Sequence, residues 1–149
     1  MRVPDNKTAW VVNPENGHAY TKIRCKSLQE ARDRATAEGA SLVAINDEAE
    51  QRWLSAFFGS SLYWIGLSNA EGKVTWKWDT GEPLTYTNWG PENRFFRSIF
   101  SGQEKKGVLM TFVDGEWHAV GPGDLFWNKT GMAILEKAEV SDTSGTQEK

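Results

Sequence analysis

The chain has 149 residues, 39% of them hydrophobic and 25% charged, with 17 Lys and Arg against 20 Asp and Glu for a formal charge of −3. That length builds one domain with a sizeable core, and that composition excludes a disordered chain. No uncharged apolar run approaches the ~20 residues of a membrane helix, so membrane insertion is not expected, and the mild negative charge provides no basic footprint for nucleic acid.

Residues 8–12 (TAWVV) read as a short strand. Asn13-Pro14-Glu15-Asn16-Gly17 is a turn, and residues 18–23 (HAYTKI) are a second strand, so the chain opens with a hairpin. Ser27 caps a helix, with Glu30 three residues later forming a capping box, and Gly39 ends it. Residues 41–45 (SLVAI) form a short buried strand. Asp47 and Glu50 make a second capping box. Ala49, Trp53, Leu54 and Phe57 are the expected apolar face of this second helix.

From Leu62 the pattern changes. Residues 62–67 (LYWIGL) are a continuous apolar strand. Residues 74–78 (VTWKW) alternate, with Val74, Trp76 and Trp78 on one face. Residues 81–91 are loop-like, and residues 108–113 (VLMTFV) are a core strand. Asp114-Gly115 is a hairpin turn leading into a strand over 116–120. Residues 121–131 (GPGDLFWNKTG) are a loop, and residues 132–137 (MAILEK) are the last strand. A hairpin, two helices, and then strands and long loops define an α+β domain with a mostly antiparallel sheet. The domain is expected over 8–137, with 1–7 an extension and 138–149 a disordered polar tail.

Among these segments, Trp64-Ile65-Gly66-Leu67 matches the WIGL motif of the C-type lectin-like domain. Ser27 to Arg32, Gly39 to Ile45, Trp76 to Trp78, Gly81 to Trp89, Val108 to Met110, Asp114 to Trp117 and Ile134 to Lys137 resemble the rest of that family in order. The resemblance implies paired first and last strands, a central WIGL strand, and a long loop that binds ligand. The family's usual bridge between first helix and last strand is replaced by Ala35 and Leu135. Gly107 stands near a cysteine of its second bridge. The chain has one cysteine, Cys25, so it closes no internal disulfide. Together with Asn16 to Tyr20, this makes the sequence look most like bacterial members. No apolar signal core precedes the domain, which reads as cytoplasmic or as an excised part of an exported protein.

Sugar-binding members hold calcium in the long loop through a Glu-Pro-Asn motif and the amide and acid of a Trp-Asn-Asp motif. Calcium needs six to eight hard oxygen ligands. Here those motifs read Pro91-Glu92-Asn93 and Trp117-His118-Ala119, with Lys105 or Lys106 at a family acidic position. Glu92, Asn93, Asp114 and Asp124 are the remaining weak calcium candidates, and no cofactor is expected. The loop also carries Arg94, Phe95, Phe96, Arg97 and Phe100, the residue types of protein-interface hot spots. These Phe side chains either form a contact surface or fold inward to organise the loop.

Trp117 and His118 complete the candidate binding set. The ring of Trp117 is equally readable as a core anchor, and His118 as an ordinary surface strand residue. Trp127 is the expected exposed aromatic. Cys25 lies beside Arg24 and Lys26, which would lower its pKa, but it has no base near it in sequence and reads as a structural thiol. With two His and no phosphate-cradling or zinc-ligand pattern, no enzyme is expected. The reading is non-catalytic, calcium-independent binding of a protein or other macromolecule. The alternative is a carbohydrate-binding lectin.

Overall fold

A computed structural model describes residues 9–59, 61–69, 76–91 and 105–138. The hairpin strands are β1 (Val11–Val12) and β2 (Ala19–Arg24). The turn between them is closed by Asn13, whose Oδ1 accepts the Glu15 amide at 2.9 Å. Helix α1 (Leu28–Ala37) starts at Ser27, whose hydroxyl accepts the Glu30 amide at 3.0 Å, while Glu30 Oε1 takes the Lys26 amide. That is the expected reciprocal cap, reaching one residue further back. After β3 (Ser41–Leu42), α2 (Glu48–Phe58) is capped in the same way: Asp47 Oδ1 accepts the Glu50 amide and Glu50 Oε1 accepts the Asn46 amide, each at 2.8 Å.

The remaining elements are β4 (Tyr63–Ser68), β5 (Lys77–Trp78), β6 (Gly107–Met110), β7 (Trp117–Val120), α3 (Leu125–Lys129) and β8 (Met132–Lys137). The sheet runs β1-β2-β8-β4-β6-β7, with β3 paired to β8 and β5 to β4. All six residues of β2 pair with β8, from Ala19 opposite Lys137 to Arg24 opposite Met132, so the first long strand and the last close the domain as expected. β4 lies between β8 and β6, the central place expected of the WIGL strand. Its glycine has a steric cause. A Cβ on Gly66 would lie 2.8 Å from the Leu42 carbonyl oxygen and 3.0 Å from that of Val43, where the Gly66 amide donates at 2.9 Å. The Asp114-Gly115 turn is the predicted one. Both residues have positive φ, 55° and 68°, as a type I′ hairpin requires, and the Glu116 amide donates to the Val113 carbonyl.

Alternation along the strands divides the core between the two faces of the sheet. On one face, Leu28, Ala31 and Ala35 of α1 pack with Leu42, Trp64, Leu109, Val120, Ala133 and Leu135. Phe126 and Trp127 of α3 lean on the same cluster. On the other face, Leu54 and Phe58 of α2 pack with Tyr20, Ile45, Tyr63, Ile65, Trp78, Met110, Trp117 and Ile134. Ala35 and Leu135, at the family's bridge positions, are both buried in the first cluster.

Several expectations are corrected. The loop expected over 121–131 contains α3, a five-residue helix. The ladder of β3 stops at Leu42, and that of β6 at Met110. Most informative is α2, whose buried residues are Glu50, Gln51, Leu54 and Phe58. Phe57 is 53% exposed and Ala49 is exposed. The helix is turned so that two polar residues reach partners inside. Of the alternating segment 74–78, Val74 lies outside the described residues; Trp78 is buried and Trp76 packs against the same cluster.

Candidate functional site

The base of the long loop is strapped to the edge strand β7. The Trp117 amide donates to the Asn88 carbonyl at 2.8 Å, and the Gly90 amide donates to the Trp117 carbonyl at 3.0 Å. The Asn88 side-chain amide donates to the Asp114 carbonyl at 3.3 Å. The Trp117 ring is fully buried, and its Nε1–H donates to Gln51 Oε1 at 2.7 Å. Three rings meet it edge-on: Trp78 at 5.5 Å, Tyr86 at 5.9 Å and Trp89 at 5.7 Å between centroids. Trp76 lies 5.7 Å from Trp89 on the outer side. The result is an aromatic knot from which one ring projects, since Trp89 is 41% exposed. Phe112, in the turn at the same end of the β6–β7 hairpin, is 52% exposed. Large rings held rigid by packing present apolar area at little entropic cost.

Trp117 is therefore the anchor of the site, with no surface of its own to offer a ligand. His118 is 6% exposed, which corrects its reading as a surface residue. It is the second residue of β7 and pairs with Leu109 of β6 inside the sheet. The next residue, Ala119, has no donor atom. At the positions where the resemblance implies a calcium-binding amide and acid, the chain offers a buried imidazole and a methyl group, and neither suits a hard cation.

Asp114 and Asp124 are not brought together. Asp114 is exposed in the turn before β7 and Asp124 is buried beyond its other end, with four residues of strand between them, roughly 13 Å. Asp124 Oδ2 is moreover taken by Lys105 Nζ at 2.8 Å and by the Gly121 amide at 2.8 Å. This pair spans the stem of the loop, where the resemblance implies a missing disulfide. Glu92, Asn93, Arg94, Phe95, Phe96, Arg97 and Phe100 lie outside the described residues.

A second polar constellation was not legible as a unit in the sequence. His18, Tyr20, Glu50 and Glu136 come from β2 and its approach, α2 and β8. Among the described residues, His18, Glu50 and Glu136 form a three-residue group whose metal-ligating atoms lie within 4.8 Å of one another. Those atoms are engaged in hydrogen bonds. His18 Nδ1 contacts Glu136 Oε2 at 2.5 Å, and the Tyr20 hydroxyl donates to Glu50 Oε2 at 2.5 Å. The Ala44 amide donates to Glu136 Oε1 at 3.0 Å, and Asn16 Nδ2 donates to the Tyr20 oxygen at 2.9 Å. Burial pushes the Glu50 carboxyl up to about 7, against the lowering effect of the Tyr20 hydroxyl and the Asn46 amide. Burial also raises Glu136, against its bonds from Ala44 and His18. Burial, with Glu136 and Glu50 nearby, pushes the Tyr20 phenol far up.

Trp127, the expected exposed aromatic, is half-buried and meets Trp64 edge-on at 5.5 Å. The projecting ring is Trp89. Cys25 is buried, and desolvation followed by Glu30 pushes its thiol up to about 11, outweighing Arg34. It is a structural thiol.

These features agree with known proteins. The sequence profile of the lectin C-type domain matches residues 24–121, and the chain belongs to that family. Members of the family commonly bind calcium; by fold and sequence this chain is, like them, a non-catalytic ligand-binding domain. It is 34% identical over 104 residues to the secretory phospholipase A2 receptor of Oryctolagus cuniculus, covering 68% of this chain and 7% of that receptor. It is 35% identical over 89 residues to C-type lectin 16 of Crotalus adamanteus, covering 52% of this chain and 56% of that one. The carbohydrate-recognition domain of cow CD23 superposes with a TM-score of 0.72 at 22% identity, covering 94% of this chain and 98% of that one. A calcium-independent type II antifreeze protein superposes at 0.69 and 20% identity, covering 92% and 100%. The relatives named by organism are animal proteins, which lends no support to the bacterial type expected from the missing cysteines.

Proposed function

We propose that this domain, spanning about 8–137 between short flanking segments, binds a protein or other macromolecule without calcium through the loop region between Trp78 and Trp117. The observation that carries this reading is the base of the loop. Trp89 projects from a rigid aromatic knot, while the family's amide-and-acid pair is replaced by buried His118 and Ala119. Arg94, Phe95, Phe96, Arg97 and Phe100 would extend the contact surface, with Arg supplying charge-assisted bonds and Phe apolar area. Glu92 and Asn93 then serve the turn into this segment. The single cysteine supports the finer reading of a domain that closes no internal disulfide.

Two measurements test the reading. Thermal unfolding in excess calcium and in chelator is expected to give the same midpoint, and a clear rise with calcium overturns calcium independence. Binding to a protein array and to a glycan array is then compared for the wild type, Trp89→Ala, and Phe95→Ser with Phe96→Ser. Protein capture is expected and lost in the variants, with the Phe95→Ser and Phe96→Ser pair costing stability within about 1 kcal/mol. Capture by glycans alone, released by free sugar, overturns it in favour of a lectin.

A further inference from the structure

Two adjacent residues of α2 hold two distant parts of the chain. Glu50 Oε2 accepts the hydroxyl of Tyr20, whose oxygen also takes Asn16 Nδ2 of the opening turn. Gln51 Oε1 accepts the Trp117 indole N–H at the base of the long loop. Both side chains are buried, and both belong to the first turn of the helix. Glu50 also fixes where that turn begins, because its Oε1 accepts the Asn46 amide at 2.8 Å.

Opposite Glu50 lies a second buried carboxylate. An oxygen of Glu50, an oxygen of Glu136 and a ring nitrogen of His18 all lie within 4.8 Å of one another. The ionisable groups that act on Glu50 are Tyr20 and His18 from the side of β2 and Glu136 from β8. Glu82 acts on Glu136 in turn, and Asp47 caps the helix that carries Glu50. Of these groups only His18 can carry positive charge.

Two carboxylates this close and out of water repel when both are charged. A proton on Glu50 removes the repulsion. Burial outweighs the bonds from Tyr20 and Asn46, so that proton leaves at about pH 7. Glu136 has little room to give way. Its backbone is paired on both sides, with Tyr20 of β2 and Ser41 of β3, and its Oε1 takes the Ala44 amide. Glu50 stands on a helix instead, and relief for it is a swing toward water. A shift of that first turn carries Gln51 with it, and the bond to Trp117 is directional.

We propose that α2 couples the proton shared by Glu50 and Glu136 to the long loop: with the proton bound, Gln51 holds Trp117 and the loop base is fixed, and with both carboxylates charged the first turn of α2 backs away and the loop base loosens. The coupling is a pH control on the binding site, and that role rests on the long-loop reading.

The test reads the indole N–H signals of the full chain by NMR between pH 5.5 and pH 8.5. No ligand is present, so the result is separable from whether the loop binds a macromolecule. The Trp117 signal is expected to move through one transition near pH 7, while Trp64, on the α1 side, stays in place. Glu50→Gln is nearly isosteric and cannot ionise, and its Trp117 signal is expected to stay at the low-pH position throughout. Gln51→Met is expected to shrink the Trp117 movement severalfold while Tyr20 still responds. His18 favours the charged form of Glu50, so in His18→Asn the transition is expected to persist at higher pH. A wild-type Trp117 signal that does not move overturns the proposal. So does movement undiminished in Glu50→Gln or in Gln51→Met, or a transition lost in His18→Asn. Capture on the protein array is then compared at pH 6 and pH 8. Severalfold stronger capture at pH 6 is expected for the wild type, and equal capture for Glu50→Gln. Equal capture by the wild type overturns the control. An array that captures nothing at either pH overturns the binding reading on which the control rests, while the indole signals still decide the coupling.

Discussion

On the α1 side of the sheet the core closes mainly with apolar side chains: Leu28, Ala31, Ala35, Trp64, Leu109 and Leu135 meet in one cluster, with the buried His118 opposite Leu109 toward the β7 edge. On the α2 side polar groups are built into the interior. Tyr20 bonds Glu50, Trp117 bonds Gln51, and Glu136 takes the Ala44 amide. The two faces carry different loads. The α1 face seals the seam where first helix and last strand meet, and any shape-filling apolar set does that. The α2 face must also hold the opening turn at Asn16 and the long loop at Trp117, and directional bonds fix segments in place as apolar contact does not. The binding loop is anchored on the polar face, through the bond from Trp117 to Gln51.

The sharpest way to break this contrast is to cut into each face. Leu135→Ala removes a fully buried side chain from the apolar face, and a loss of about 2–5 kcal/mol is expected in denaturant unfolding. Cys25 in that cluster is pushed up to about 11, outside this range, so the loss should be the same at pH 5 and pH 8.

The polar face should respond to pH. The Glu50 carboxyl titrates at about 7 in the folded protein, against an ordinary value of 4.5. Between these values the folded state holds a proton that the unfolded state has released. Its stability is therefore highest below pH 4.5 as far as this group is concerned and falls as pH rises through 7, by about 3 kcal/mol in all. Glu50→Gln cannot ionise and is expected to flatten that part of the stability–pH curve, raising the midpoint relative to the wild type at pH 8. A wild-type curve rising from pH 5 to pH 7, or an unchanged slope in Glu50→Gln, would remove Glu50 from the account.

The difference between the faces also explains what was legible in the sequence. Strand and helix positions followed from local signals: the caps at Ser27 and Asp47, the Asp114-Gly115 turn, and the apolar run of β4. Ala35 and Leu135, which the family resemblance set at its bridge positions, are apolar, and both are buried together on the α1 face. On the α2 face the apolar-inside rule fails, because Glu50, Gln51 and Glu136 are polar and inside. Their partners lie 30, 66 and 92 residues away, as for Tyr20 with Glu50, Trp117 with Gln51 and the Ala44 amide with Glu136. Periodicity carries no such information. The exposed ring was misplaced for the same reason. Trp89 projects because the knot around Trp117 is already full, and Trp127 is held in because Trp64 offers it an edge.

The smallest expected effect comes from the residue that periodicity put inside and the fold leaves out. Phe57 is 53% exposed and stacks on Trp53 at 5.3 Å with the rings nearly parallel. Phe58, its neighbour, is buried against Tyr63. Phe57→Ser gives up two ring contacts of a half-exposed side chain, with Trp53 and with Phe58, and is expected to cost about 1 kcal/mol. Phe58→Ser opens the core and is expected to cost about 3–5 kcal/mol. Urea unfolding of both variants at one pH reads the helix rotation directly. If the two costs were reversed, α2 would turn its apolar stripe inward, and Glu50 and Gln51 would be withdrawn from Tyr20 and Trp117. Because the Gln51–Trp117 bond anchors the loop base, that reversal would also free the ring on which Trp89 rests. A small cost for Phe57→Ser beside a large one for Phe58→Ser instead ties the polar face to the binding loop through one helix orientation.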